Sequence, residues 1–256
     1  MSYREVGRLR RAREIGPAFR ALLLPIALAA IACAGQAPGG IYYSSAKGSV
    51  TPDGLHLVEW EPFQVTYVKP GADLQRYDKV LVQEVTVSYK RPPPAGNFEQ
   101  DSIDPNYALP DSALQSLKRY FHGAFVEALG KSKNFTVVDA AGPDVLLVSG
   151  HIVNLQIQVP PEQDQNPDER DYTSSPGQMT LILDARDSQS GEPLVRVGQA
   201  RAIQLGDGGW YQSDPVANSA AVRQIFAGWA SDLQRELDQF HALAEIPPVN
   251  TPAPSN

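Results

Sequence analysis

A single cysteine, Cys33, stands among 256 residues. No disulfide can close within the chain, so stability must come from an apolar core. Long hydrophobic runs are also missing. The longest, Ala21 to Ala34, has 14 residues and is interrupted by Pro25, whereas a membrane-spanning helix needs about 20. Histidine is sparse: His56, His122, His151 and His241 lie in different stretches, with no His-x-x-x-His or cysteine spacing. Zinc ligation of the usual kind therefore has no support, and no cofactor is implied. No G-x-S-x-G, S-x-x-K, phosphate-loop or dinucleotide fingerprint occurs. Positive charge is short as well, with a formal net of −7.

Six of the 22 lysines and arginines stand together at the start. Arg4, Arg8, Arg10, Arg11, Arg13 and Arg20 precede the apolar run, against Glu5 and Glu14. A basic n-region, a short apolar h-region and small residues before a cysteine make residues 1–32 a signal peptide. Ala30-Ile31-Ala32-Cys33 reads as a lipobox, with the Cys33 thiol receiving a diacylglyceryl group. Ala30 departs from the Leu such motifs usually carry. The alternative is ordinary cleavage at the A-x-A pattern, giving a soluble periplasmic protein with Cys33 incidental. A twin-Arg export reading of Arg10-Arg11 is weaker, because no apolar pair follows at the right offset. Ala34, where Asp would favour inner-membrane retention, points to the outer membrane and its periplasmic face.

Removing the leader leaves a body of net charge −11. Such a body has no electrostatic footprint for nucleic acid, nor would it adhere to anionic lipid. Membrane attachment would come from several N-terminal acyl chains, since one anchors only marginally.

Residues 33–52 are small, polar and Gly/Pro-bearing, and read as the lipidated cysteine and a flexible tether. One domain is expected over 53–243, then a disordered Pro-rich tail over 244–256. LHLVEW and FQVTYV are short extended segments split by Pro62. Val80 to Val87 is a strand whose apolar parity flips, which predicts a bulge near Gln83-Glu84. Residues 111–132 carry a helical stripe of Leu114, Leu117, Phe121, Ala124, Phe125, Ala128 and Leu129. Ser112 with Gln115 fits a capping box.

Phe135 to Asp139 is a short strand and Asp144 to Val159 a long one. In the latter's second half Val153, Leu155, Ile157 and Val159 face a core, while Asn154, Gln156 and Gln158 face solvent. Met179 to Ala185 and Leu194 to Leu205 form a hairpin, turning through Asp187-Ser188-Gln189-Ser190-Gly191-Glu192. Gly206-Asp207-Gly208-Gly209 reads as a turn, since neither Lys nor a helix follows directly. Asn218 to Leu243 is a second helix, with Val222, Ile225, Phe226, Trp229, Leu233, Leu237 and Phe240 in its stripe. Strands outnumber helices. The expected fold is an α+β two-layer sandwich, a mostly antiparallel sheet with two amphipathic helices packed on one face.

VKPGADLQRYDKVLVQEVTVSY, FTVVDAAGPDVLLVSGHIVNLQI, MTLILDARDSQSGEPLVRV and IFAGWASDLQRELD, in that order, resemble an uncharacterised family of proteobacterial lipoproteins, a domain of unknown function. The likeness covers about residues 53–243. The resemblance implies an exported lipoprotein, in agreement with Cys33, and supplies no catalytic residue.

Two function classes follow. The first is a lipid-anchored, non-enzymatic module that binds or organises an envelope protein or glycan. Its candidate interaction surface is Phe98, Tyr107, Trp210 and Tyr211, aromatics outside the expected core elements, with Tyr42 and Tyr43 beside them. The second is an envelope hydrolase, which needs two carboxyls facing each other across a cleft. Asp184 with Asp187, and Asp139 with Asp144, are the nearest pairs in sequence; each has a simpler role around a turn. His151 is the histidine to expect buried with a partner.

Overall fold

The computed structural model describes residues 41–93, 105–160, 172–205 and 209–249. Cys33, Phe98 and Gly206 to Gly208 lie outside them. Its chain order is β1 (His56–Val58), β2 (Val65–Val68), β3 (Lys79–Val82), β4 (Thr86–Tyr89), α1 (Asp111–Leu129), β5 (Thr136–Val137), β6 (Val145–Ile157), β7 (Tyr172–Thr173), β8 (Gly177–Asp187), β9 (Pro193–Ile203), β10 (Tyr211–Gln212) and α2 (Pro215–His241).

An eight-stranded sheet runs β1-β2-β9-β8-β6-β3-β5, with β4 also paired to β6; β7 and β10 form a separate two-stranded ladder. The fold is α+β. The sheet is mixed. From β1 to β6 all neighbours are antiparallel, while β3, β4 and β5 join by parallel pairing.

The long strands follow from their side chains. Met179, Leu181, Leu183 and Ala185 of β8 are buried at alternate positions, with Gln178, Thr180 and Ile182 less covered. β8 and β9 turn through Asp187 to Glu192, where Gly191 has φ +73°, a left-handed geometry that glycine adopts without steric cost. The parity flip after Val82 is real. Val82 pairs with Val148 and Thr86 with His151, so β3 and β4 span one residue more than β6 does. Val80, Val82 and Val85 are all buried as a result.

Register puts Gly150, Leu183 and Val197 in one row, and Ile152, Leu181 and Gln199 in the next. Helical side chains meet this set. Phe121 of α1 sits so close to Gly150 that a Cβ there would lie 2.3 Å from its ring. Trp229 of α2 donates to Gln199 Oε1 at 2.6 Å. Phe121 stacks on Phe125 at 4.2 Å and meets Phe226 edge-on at 5.8 Å. These aromatic pairs join the helices to each other and to the sheet.

Four expectations need correcting. Residues 41–52 are not a free tether: Ile41 is buried, and Tyr43 and Val50 form β-bridges to Val58 and His56. The edge strand β1 offers unpaired backbone groups, and this segment satisfies them. The start of the expected tail is also held, with Ile246 buried and bonded through its backbone to Gly71 and Ala72. Ser112 is not a cap, because α1 begins one residue before it, after Pro110, with no side-chain cap. Gln156 does not face solvent but is 1% exposed. The register slips between Val153 and Gln156, where Asn154 has φ +53°. Gln156 then accepts from Lys90 and Gln178 and donates to Pro105, which fastens the 105–110 segment to the sheet.

Candidate binding groove

α1 and α2 touch through large aromatics at Phe121 and Phe226. Their first two turns carry smaller side chains instead: Ser112, Ala113 and Ser116 on α1, Asn218 and Ser219 on α2. The difference in volume opens a groove of about 580 Å³ between the two helix starts and the ends of β6, β8 and β9. Its apolar lining includes Leu109, Leu117, Leu155, Ile157, Met179 and Ile203. Small-ligand sites commonly measure ~300–1,000 Å³ with this apolar character.

Local chemistry fixes the walls. Leu109 is placed by its N–H donating to the Tyr89 hydroxyl at 2.8 Å. Asp214 caps α2, accepting from the Val216 and Ala217 N–H groups at 2.9 and 2.8 Å, with Pro215 in the first turn. Tyr120, also in the lining, accepts from Arg223 at 3.0 Å, with the guanidinium over its ring. That bond holds its phenol below the usual pKa.

The expected interaction residues separate here. Trp210 is 75% exposed, just before β10. β10 starts at Tyr211, and Gln212 pairs with Tyr172 of β7. Tyr172 is 55% and Val216 80% exposed; Pro215, next to Val216, lines the groove. Tyr107, by contrast, is 4% exposed. Its N–H bonds to the Ile157 carbonyl at 2.9 Å, so the Pro-rich segment runs along the end of β6 and Tyr107 belongs to the core. Tyr43 is likewise turned in, its hydroxyl on the Pro247 carbonyl, whereas Tyr42 is exposed.

Of the four carboxylates weighed for hydrolysis, Asp144, Asp184 and Asp187 are engaged with other groups. Asp184 accepts from Arg196 at 2.6 Å and Arg186 at 3.1 Å. Asp187 accepts from the Ser190 and Gln189 N–H groups at 2.7 and 3.0 Å and from the Tyr77 hydroxyl at 2.9 Å. The Ser190 N–H above all lowers its pKa to about 2, while burial pushes the Tyr77 phenol up to about 12. Asp144 is paired with Lys79. His151 is half-buried rather than buried. Its Nδ1 lies 2.8 Å from Thr86 Oγ1 and its Nε2 3.7 Å from Asp184, the latter beyond hydrogen-bond reach. Thr86, His151 and Asp184 thus lack the linked geometry of a nucleophile, base and orienting acid.

One carboxyl escaped the sequence reading. Glu236 of α2 is fully buried, and neither oxygen has a hydrogen-bond partner. Burial raises its pKa well above the ordinary value; the neighbouring Thr66 hydroxyl, which donates to the Trp60 carbonyl instead of to the carboxyl, opposes this only weakly, and Asp232 adds to it. The signal was available: Glu236 sits three residues after Leu233 and four before Phe240, on the apolar stripe. It lines neither the groove nor the two smaller hollows, one between the outer helix faces and one beside Asn154. Among the described residues, no three His, Cys, Asp or Glu side chains gather as metal ligands. No helix among them is long and apolar enough to cross a membrane.

Comparison with solved structures finds distant likenesses. A PelC dodecamer from Paraburkholderia phytofirmans is similar at TM-score 0.33 and 16% identity, over 66% of this chain and 96% of that one. A Xanthomonas campestris protein of family DUF330 is similar at TM-score 0.38 and 13% identity, over 67% and 92%. At these scores neither carries an argument about function. No curated protein matches the chain. A family model does match, over residues 59–233, and it contains the first three sequence blocks that carried the resemblance and the last as far as Leu233: the chain belongs to the family described as protein of unknown function, DUF3313.

Proposed function

We propose that the protein is a lipid-anchored, non-enzymatic binding module of the cell envelope, and that the groove end is its binding surface. In this reading Cys33 carries the acyl chains, the anchor lies in the outer membrane, and the domain faces the periplasm. The sheet and helices act as a two-layer support for the site. The observation that carries the proposal is an apolar groove of about 580 Å³ with exposed Trp210, Tyr172 and Val216 close to it in the chain or across the β7–β10 ladder. Exposed large apolar groups gathered at one place favour recognition over simple solvation. The engaged states of Asp144, Asp184 and Asp187 weigh against hydrolysis by those carboxyls.

Site-specific photocrosslinking in the envelope tests this. A photoreactive residue at Trp210 or Val216 should give a discrete adduct that one at exposed Glu127 does not. Equal adducts from all three positions, or none from 210 and 216, would refute it.

A further inference from the structure

Resting on that reading of the groove as the binding site, we infer that its occupant is an acyl chain of a membrane phospholipid. The first reason is charge. Among the described residues, Asp214 is the one Asp, Glu, Lys or Arg of the lining, and its side chain already caps α2. Other polar groups of the lining are bonded within the protein: the Ser116 hydroxyl donates to the Ser112 carbonyl at 2.8 Å, the Asn218 amide to Ser213 at 3.0 Å, and the Tyr120 hydroxyl accepts from Arg223 at 3.0 Å. Among the described residues, no lysine or arginine lines the groove. A charged ligand group would lose its water without gaining a counter-ion, while a hydrocarbon chain would lose nothing. The second reason is the lining, where Leu155 and Met179 present apolar atoms from the ends of the long strands.

The third reason is position. The described residues begin at Ile41, which is buried, and Tyr43 and Val50 bridge to the sheet edge. Only eight residue steps separate Ile41 from Cys33, which reach at most about 28 Å when fully extended. An anchored domain would therefore stay beside the bilayer instead of ranging into the periplasm. Exposed Trp210 and Tyr172 have the amphipathic ring chemistry suited to the bilayer interface. A chain leaving the bilayer would then meet an apolar path.

The test uses the full chain in phosphatidylcholine vesicles containing a trace of phosphatidylcholine with a diazirine near the end of one acyl chain. After irradiation, peptide mapping should find adducts on the segments around Leu109 to Tyr120, Leu155 to Pro160 or Pro215 to Val222. Ala113→Trp and Ser219→Trp, each filling the groove from a different helix, should cut these adducts at least tenfold without lowering the thermal midpoint. Ala227→Trp, in the outer hollow between the helices, should leave them unchanged. Adducts confined to residues before Ile41, or unaffected by both groove-filling variants, would overturn the inference. If groove adducts are absent while crosslinks from Trp210 persist, the acyl chain is wrong and the binding surface stands. If both are absent, both proposals fall.

Discussion

Asp187 and Glu236 are both buried acids, and their surroundings drive them in opposite directions. Asp187 has an oxygen facing two turn N–H groups and another facing Tyr77 and Arg76. Its pKa of about 2 in the fold lies below the ~3.9 of an unfolded chain. A depressed folded pKa means stability present above the unfolded value and lost as pH falls toward the folded one. Asp187→Asn should thus cost about 1–3 kcal/mol at pH 7, with the gap narrowing between pH 4 and 2. Urea unfolding of both proteins across that range checks it; a constant gap would contradict the assignment.

Glu236 is the reverse case. Its raised pKa makes its contribution greatest below the unfolded value, and that contribution fades as pH rises toward the folded one. Glu236→Met keeps an unbranched side chain and removes an unpaired buried polar group. It should stabilise the protein at pH 8 by about 1–3 kcal/mol and by less at pH 4. Thermal unfolding at the two pH values would show it. A loss of stability at pH 8 would mean that the carboxyl has a favourable partner after all.

At the scale of elements, what was legible depended on how local the cause was. The β8–β9 hairpin could be read because its alternation and turn lie within one stretch, with Asp187 and Gly191 at its bend. The α1 and α2 stripes were equally plain, and Phe121, Phe125, Phe226 and Trp229 are indeed buried. The start of α2 was misplaced at Asn218. Asp214-Pro215 is the stronger local signal, an N-cap acceptor followed by a residue with its φ already set. Asp214→Ala should lower stability by about 0.5–2 kcal/mol, seen as a reduced denaturant midpoint, while Pro215 retains the helix start. Loss of the entire α2 signal in circular dichroism would show that the cap does more than this.

Non-local causes left no such trace. Parallel pairing of β3 and β4 with β6 joins residues about 65 apart, and nothing in either segment names the other. Tyr107 looked free because its neighbours are loop-forming, yet its partner is the end of β6. The groove itself was half visible. Ser112, Ala113, Ser116, Asn218 and Ser219 are readable as small residues at helix starts. That the two starts face one cavity depends on the sheet beneath them.

For the whole molecule, the shape of the N-terminal region changes what anchoring would mean. A long coil from Cys33 would let the domain roam, whereas strand-like pairing of Tyr43 and Val50 leaves a short link. The acidic body offers no attraction to anionic lipid. Proximity to the bilayer, on which access to an acyl chain depends, would therefore come from the covalent lipid alone. The most direct measurement is metabolic palmitate labelling of the full chain and of Cys33→Ser, each followed by membrane fractionation. Label and outer-membrane recovery should both be present in the first and absent in the second. Identical fractionation of the two, with label in neither, would contradict a membrane-held module.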